Sequence, residues 1–233
     1  MCGRYSLVSG GPASADLRAR FALGESLEIR RRFNVAPGDD IVTVTTSKEG
    51  EPRGALLRWG LVPHWAKDPS TGFKMINARA ETVAEKPAYR DALKTRRCLV
   101  VADGFYEWQA REGRARKLPW HVTRADGAPF AFAGLWATWH GPDDQVLRTC
   151  SIVTTHANDA LAPIHDRMPV MLAPETEADW LDPAAPPELL HELLRPAPDR
   201  EVAHRPVGYA VNSVRNDGPE CLEAPEAEAP TLF

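Results

Sequence analysis

CLVVADG (98–104) runs directly into FYEWQ (105–109). The first segment is a continuous apolar run and the second is built from aromatic residues. Both read as strands, with Asp103-Gly104 as a turn signal where they meet. Working outward, IVTVTTS (41–47), GALLRWGLV (54–62), LPWHVT (118–123), PFAFAGLWA (129–137) and SIVTT (151–155) carry the same signature. Ala125-Asp126-Gly127 stands between two of these runs and is expected to close a hairpin. Helices are expected at 14–23, at 87–96 with Pro87 in the first turn, at 174–182 and at 187–195. The last two open on proline followed by acids, which suits a helix N-terminus. Leu189, Leu190, Leu193 and Leu194 then form a core-facing stripe. No internal repeat of solenoid or propeller period is found. Strands are spread along the whole chain, so the fold class is α+β in one domain.

Composition narrows the function classes. The chain has 233 residues, 43% hydrophobic and 26% charged, which excludes a disordered, collagenous or disulfide-scaffold protein. No apolar run approaches the roughly 18–20 residues of a membrane span, and MCGRYSLVSG lacks the apolar core of a signal peptide. A cytoplasmic protein is expected, with no membrane partner. The net charge of −4 argues against a nucleic-acid binder until its distribution is read. Residues 1–120 carry a balance of +7 and residues 121–233 one of −11. Such asymmetry fits an anion-binding surface on one side of the molecule, or simply an uneven solvated surface. Of the four cysteines, Cys98 and Cys150 lie in apolar runs and read as core thiols. None has the spacing of a zinc site, so no metal is expected, nor a disulfide framework. EAPEAEAPTLF (223–233) reads as a disordered acidic tail.

Cys2 has a chemistry of its own. An initiator methionine is generally removed when the second residue is small, which would leave an α-amine and a thiol on adjacent carbons. The two groups titrate near 7.7–8.0 and 8.5, so both are partly nucleophilic at neutral pH. The thiol could attack a carbonyl with the amine as its base. Alternatively the amine could form a Schiff base with an aldehyde, and the thiol could then close a five-membered thiazolidine. Asn77 and Arg79, in INARAET (76–82), would share a face if that segment is extended. Glu107 lies between aromatics in FYEW, a setting that raises a carboxyl group towards neutrality. His165 precedes Asp166-Arg167-Met168-Pro169, and Asp166 or a backbone carbonyl could orient its ring. Trp65 and Trp108 could stack on unpaired bases while arginines and lysines hold phosphates. Each of these signals also has an ordinary structural explanation.

The ordered series MCGRY, RFNVAPG (32–38), LRWGLVPHWAKD (57–68), INARAET, ADGFYEW (102–108), AGLW (133–136), SIVTT, PIHDRMPV (163–170) and VNSVRNDGPECL (211–222) resembles the motif series of the SRAP family. These are the SOS response-associated peptidase, or abasic-site processing, proteins. The resemblance runs from residue 1 to about 222 and defines the expected domain as 1–222, with the tail beyond it. It implies a compact α+β domain with a strongly bent, barrel-like β core and peripheral helices. It implies capture of abasic sites in single-stranded DNA as a covalent crosslink through the N-terminal cysteine. Carried over, Cys2 would supply amine and thiol, Asn77 would bind the sugar or the N-terminal group, and Glu107 would shuttle protons. His165 would assist ring opening and Schiff-base formation. Arg4, Asn34, Pro37, Arg79 and Arg167 would lie near the DNA backbone or lesion, with Trp65, Trp108 and Met168 as apolar contacts. Thr154 would lie close by, and Lys86 is a further phosphate candidate. No cofactor is implied, and a monomer is expected.

Two other readings stay open at this stage. The same Cys2, Asn77, Glu107 and His165 set would serve a cysteine hydrolase of the N-terminal-nucleophile type, including self-removal of Met1. A non-catalytic single-strand binding module would use only the basic half and the tryptophans.

Overall fold

The computed structural model describes residues 2–11, 14–142 and 144–226. Its strands are β1 (Tyr5–Leu7), β2 (Arg32–Val35), β3 (Asp40–Thr46), β4 (Pro52–Trp59), β5 (Asn77–Arg79), β6 (Arg97–Ala102) and β7 (Gly104–Gln109). There follow β8 (Leu118–Arg124), β9 (Phe130–His140), β10 (Val146–His156), β11 (Arg167–Pro169), β12 (Met171–Leu172) and β13 (Val202–Pro206). The helices are α1 (Ala15–Arg20), α2 (Arg90–Thr95), α3 (Glu177–Leu181) and α4 (Pro187–Leu193).

Five strands close on themselves. β4 pairs antiparallel with β3, β3 with β6, β6 with β9 and β9 with β10. The ring is completed by β10 beside β4 in parallel, with Thr149 opposite Arg58 and Cys150 opposite Trp59. So small a barrel leaves little room inside, and its walls use small residues accordingly. At Gly134 a Cβ would lie 2.7 Å from the Cys98 sulfur. All six residues of β6 are buried. The expected bent, barrel-like α+β core is thus what the chain forms.

A second, five-stranded sheet in the order β13-β8-β7-β1-β2 packs against the barrel. Aromatic rings fill the seam: Tyr5 meets Trp59 at 5.5 Å and Phe132 at 6.0 Å, and Phe105 meets Phe132 at 5.9 Å between centroids.

The chain passes between these two layers at the two expected turns. Asp103 alone separates β6 in the barrel from β7 in the outer sheet. Its carboxylate accepts hydrogen bonds from Ser6 Oγ, Ser9 N and Ser9 Oγ at 2.7–2.9 Å. The next position must be glycine, because a Cβ on Gly104 would sit 2.2 Å from His121 Nε2. The turn at 125–127 forms, with Gly127 at φ +71° and Asp126 paired to Arg124 at 2.7 Å, but it closes no hairpin. β8 pairs with β7 and β13, whereas β9 belongs to the barrel. Turn chemistry bends the chain locally; the aromatic faces of the two strands decide which sheet each one joins.

The four helices lie where expected but are shorter. The stretch 174–182 splits into a 3-10 turn over Pro174–Thr176 and α3. From the leucine stripe on and after α4, Leu190 and Leu194 are buried. Arg97 joins α2 and α3 to the barrel. Its buried guanidinium donates to the carbonyls of Leu93 and Lys94 at 2.5 and 2.6 Å, to Trp180 O at 2.6 Å, and to Asp182 O. Of the acidic tail expected at 223–233, residues 227–233 lie outside the described residues.

Candidate functional site

The N-terminus reaches the centre of the molecule because β1 is held on both sides, by β2 and by β7. Tyr106 N donates to Arg4 O at 3.0 Å, which extends this anchoring towards Cys2. Cys2 is fully buried, its thiol 3.8 Å from Arg4 O. Burial, reinforced by the negative charge of Glu107, holds that thiol far above the usual thiol range.

Four separated elements converge here. Asn77 opens β5, which lies parallel to β10 with Asn77 opposite Ile152. Its amide donates to Cys2 O at 2.8 Å, and its backbone carbonyl accepts from Tyr89 Oη at 3.1 Å. Asn77 Oδ1 is buried with no hydrogen-bond partner among the described residues. An orphaned acceptor of that kind is uncommon unless something else fills the place. Glu107 comes from β7, opposite Trp120 of β8, and is 4% exposed. Burial pushes its carboxyl up to about 7. His165 lies on the loop between β10 and β11, and its Nε2 is 3.9 Å from Glu107 Oε2. Burial lowers the imidazole's proton affinity.

The His165 loop is fixed from several sides. Gln109 at the end of β7 donates to Pro163 O at 2.9 Å, and Ala157 N donates to Asp166 O at 2.9 Å. Arg167 N donates to His165 Nδ1 at 3.0 Å and Asp166 Oδ1 lies 2.9 Å from the same atom, so Asp166 is placed as expected and the backbone group beside the ring is an amide, not a carbonyl. The Arg167 side chain forks onto Glu81 and also reaches Thr154 O at 2.7 Å.

The remaining residues named from the sequence divide by exposure. Arg79 is exposed two positions beyond Asn77, with buried Ala78 between them, so the extended reading of INARAET holds for this pair. Trp65 is 57% exposed, and Lys86 is exposed ahead of α2. Pro37 is half-buried in the turn before β3. Trp108 is half-buried, its indole nitrogen donating to Asn212 Oδ1 at 2.7 Å. Thr154 and Met168 are wholly buried and present no surface to a ligand. Asn34 is also buried, and its amide is spent on the carbonyls of Val211, Ser213 and Asn216 at 2.8–3.2 Å. Arg4 donates to Asn34 Oδ1 at 3.0 Å and to Val211 O at 2.8 Å. Asn34 and Arg4 therefore fasten the segment 211–216 beside the site.

Sequence reasoning missed Glu81, Tyr89, Gln109 and Asn212. Glu81 stands inside INARAET and Gln109 directly after FYEW, so proximity to a motif was the available signal. Among the described residues, no group of three histidine, cysteine or acidic side chains is placed to hold a metal ion. Among the same residues, no helix is long and apolar enough to cross a membrane.

The model of the family described as SOS response associated peptidase (SRAP) matches residues 1–214. The chain belongs to the SRAP family. The chain is 41% identical over 228 residues to the abasic site processing protein YoqW of Bacillus subtilis, which covers 96% of this chain and 100% of that one. It is 39% identical over 201 residues to the abasic site processing protein HMCES of Gallus gallus, covering 75% of this chain and 58% of that longer one. A solved structure of a protein from Bacteroides thetaiotaomicron has the same fold, with a TM-score of 0.83 at 24% identity over 96% of this chain and 99% of that one. A structure from Bordetella bronchiseptica superposes with a TM-score of 0.75 at 27% identity over 89% of this chain and 100% of that one. Cys2, Asn77, Glu107 and His165 all lie within the SRAP match.

Proposed function

We propose that this SRAP protein captures abasic sites in single-stranded DNA as a covalent adduct of Cys2, formed once Met1 has been removed. The observation that carries this reading is the convergence of Cys2, Asn77, Glu107 and His165 from four separated stretches of chain. The names of the relatives supply the substrate class.

The ring-opened abasic sugar presents an aldehyde. The α-amine of Cys2 adds to its carbonyl carbon, the carbinolamine loses water, and an imine results. The thiol then adds across the C=N bond, sulfur to carbon and proton to nitrogen, closing a thiazolidine. Every step moves a proton near neutral pH, and a carboxyl group held at about 7 suits that work. Asn77 holds the Cys2 carbonyl and so orients the amine, while its unpartnered Oδ1 is available to a sugar hydroxyl. His165 stands on the other side of Glu107, where it can protonate the ring oxygen as the sugar opens. Arg79, Lys86 and Arg167 are the phosphate candidates, and Trp65 with Trp108 the stacking ones.

The buried thiol favours this order over a cysteine hydrolase. In a hydrolase the thiol attacks first and gives its proton to the amine as it does so, and both burial and Glu107 oppose negative charge on the sulfur. The amine can act first, and the thiol need only follow within the same complex.

The test is incubation with a single-stranded oligonucleotide bearing one abasic site, beside Cys2→Ala and an intact oligonucleotide, read on a denaturing gel without borohydride. A band requiring both Cys2 and the lesion is the expected result. No band from protein whose intact mass shows Met1 gone would overturn the reading.

A further inference from the structure

Two groups compete for one nitrogen of His165. Arg167 N–H lies 3.0 Å from Nδ1, and Asp166 Oδ1 lies 2.9 Å from the same atom. An amide hydrogen needs the Nδ1 lone pair, whereas a carboxylate needs a proton there. A single Nδ1 cannot serve both at once. When the ring is neutral and Nδ1 accepts from Arg167, its proton is on Nε2, the nitrogen facing Glu107 at 3.9 Å. When the ring takes a second proton, Nδ1–H turns to Asp166.

We propose that Asp166 is a positioning residue that holds the second proton on His165, so that the ring exchanges the Arg167 amide for the Asp166 carboxylate each time it is protonated. This deepens the capture chemistry proposed above and rests on it. The consequence is a histidine that can give up and regain a proton without moving. In the free protein Nε2–H stays directed at Glu107 in both states and only the partner of Nδ1 changes; with a sugar bound, the doubly protonated ring gives up its Nε2 proton and Asp166 keeps the one on Nδ1.

The surroundings give Asp166 this part. Burial works against a charged ring, and the Asp166 charge opposes that effect. Lys117, just before β8, also works against it. Glu107 faces the ring from β7. Arg167 is the nearest cation in sequence, but its guanidinium is turned to Glu81. Asp166 itself is 86% exposed on its side chain, so it reaches the ring from the solvent side. It carries no structural hydrogen bond through its side chain other than this one among the described residues, which makes it a clean position to vary.

The experiment has two arms. The first follows the His165 ring protons by NMR across pH 5–9 in the free, processed protein, for wild type, Asp166→Asn and Asp166→Glu. The second measures the single-turnover rate of adduct formation over the same range, with His165→Gln identifying the limb that belongs to this ring. The midpoint of that limb and the NMR titration should both fall in Asp166→Asn, by on the order of one pH unit, and recover in Asp166→Glu. The plateau rate should stay within about twofold of wild type. An unmoved NMR midpoint in Asp166→Asn would overturn the proposal, as would a lower plateau with both midpoints unchanged. The NMR arm needs no DNA, so absence of any adduct would sink the capture reading while still leaving the Asp166–His165 coupling measured.

Discussion

Arg167 and Glu81 form a two-pronged ion pair, Nη1–Oε1 2.6 Å and Nη2–Oε2 3.0 Å. The pair ties the loop that carries His165 to the strand end that carries Asn77. The Arg167 side chain is 14% exposed and that of Glu81 47%, so the contact lies at the margin of the site and not in the core. Its value is geometric. It sets the spacing between those two stretches of chain.

Glu81→Ala should therefore slow adduct formation more than it destabilises the fold. A half-exposed pair contributes about 1 kcal/mol or less to stability. A misplacement on the scale of an ångström between catalytic groups can lower a rate on the order of 100-fold. Single-turnover rates beside thermal melts check this. An unchanged rate in a folded Glu81→Ala protein would show that the two loops keep their spacing unaided.

Glu107 gives the protein a pH dependence with a defined sign. Its carboxyl is raised from the usual 4.5 to about 7, chiefly by burial. Between those values the folded chain holds a proton that the unfolded chain has lost. This group's contribution to stability is therefore complete below pH 4.5, falls as pH rises, and levels off above 7. The total change is about 3 kcal/mol. Glu107→Gln has no such carboxyl, so its melting temperature relative to wild type should climb between pH 5 and pH 8. The same variant should lose adduct formation by at least about 100-fold, the usual scale for a general acid–base group. A constant stability difference across that range would mean that Glu107 titrates normally.

How far the fold was legible can be judged from particular segments. The apolar and aromatic runs became β3, β4, β6–β10, because burial on one or both faces leaves a period that a sequence displays. β1, β2, β11, β12 and β13 were not named as strands, and β5 entered only as a condition on INARAET. RFNV and VAHRP mix charges with apolar residues and owe their extension to the neighbours they pair with, not to their own pattern. The turn at 125–127 was legible as a turn and misread as a hairpin, since three residues cannot encode which sheet comes next. The residue chemistry of Cys2, Asn77, Glu107 and His165 was visible one position at a time. Their meeting depends on β1, β5 and β7 lying where two sheets place them, and only the motif series hinted at that. At Asn34 the buried amide binds the protein's own backbone, and at Thr154 the carbonyl and hydroxyl both face the Arg167 guanidinium, so each polar group has an internal partner.

Arg97 should be among the most costly residues to replace. Its guanidinium is the shared donor for carbonyls at the ends of α2 and α3, and the side chain has no carboxylate partner among the described residues. Helix ends leave carbonyls without partners, and a buried one left unpaired costs about 1–3 kcal/mol. Arg97→Met would orphan three, since Asp182 O keeps the Ala185 amide, so a loss of at least about 3 kcal/mol is expected in denaturant melts. Arg97→Lys should recover little, because one ammonium cannot reproduce a planar fork aimed at separated acceptors. A loss under about 1 kcal/mol would show that water reaches these carbonyls.

Asp217 protects an edge. β2 is the terminal strand of its sheet, and its outward amides would otherwise stand open to any extended chain. Asp217 Oδ1 accepts from Phe33 N and Asn34 N, both at 2.7 Å, while Oδ2 takes the Arg32 guanidinium. The segment 211–217 is thereby laid along β2, and Asn212 is brought to the Trp108 indole. Asp217→Ala should cost about 2–3 kcal/mol, since it leaves two amides without their acceptor and the half-buried Arg32 guanidinium with Asp39 alone. Hydrogen exchange offers the local readout. The amides of Phe33 and Asn34 should lose protection in Asp217→Ala while those of β6 keep theirs under conditions where the fold persists. Asp217→Asn keeps one carbonyl oxygen and should show a smaller effect at the same two amides. Equal protection in all three proteins would mean that the barrel face alone shields β2, and that the C-terminal segment rests on the sheet without holding it.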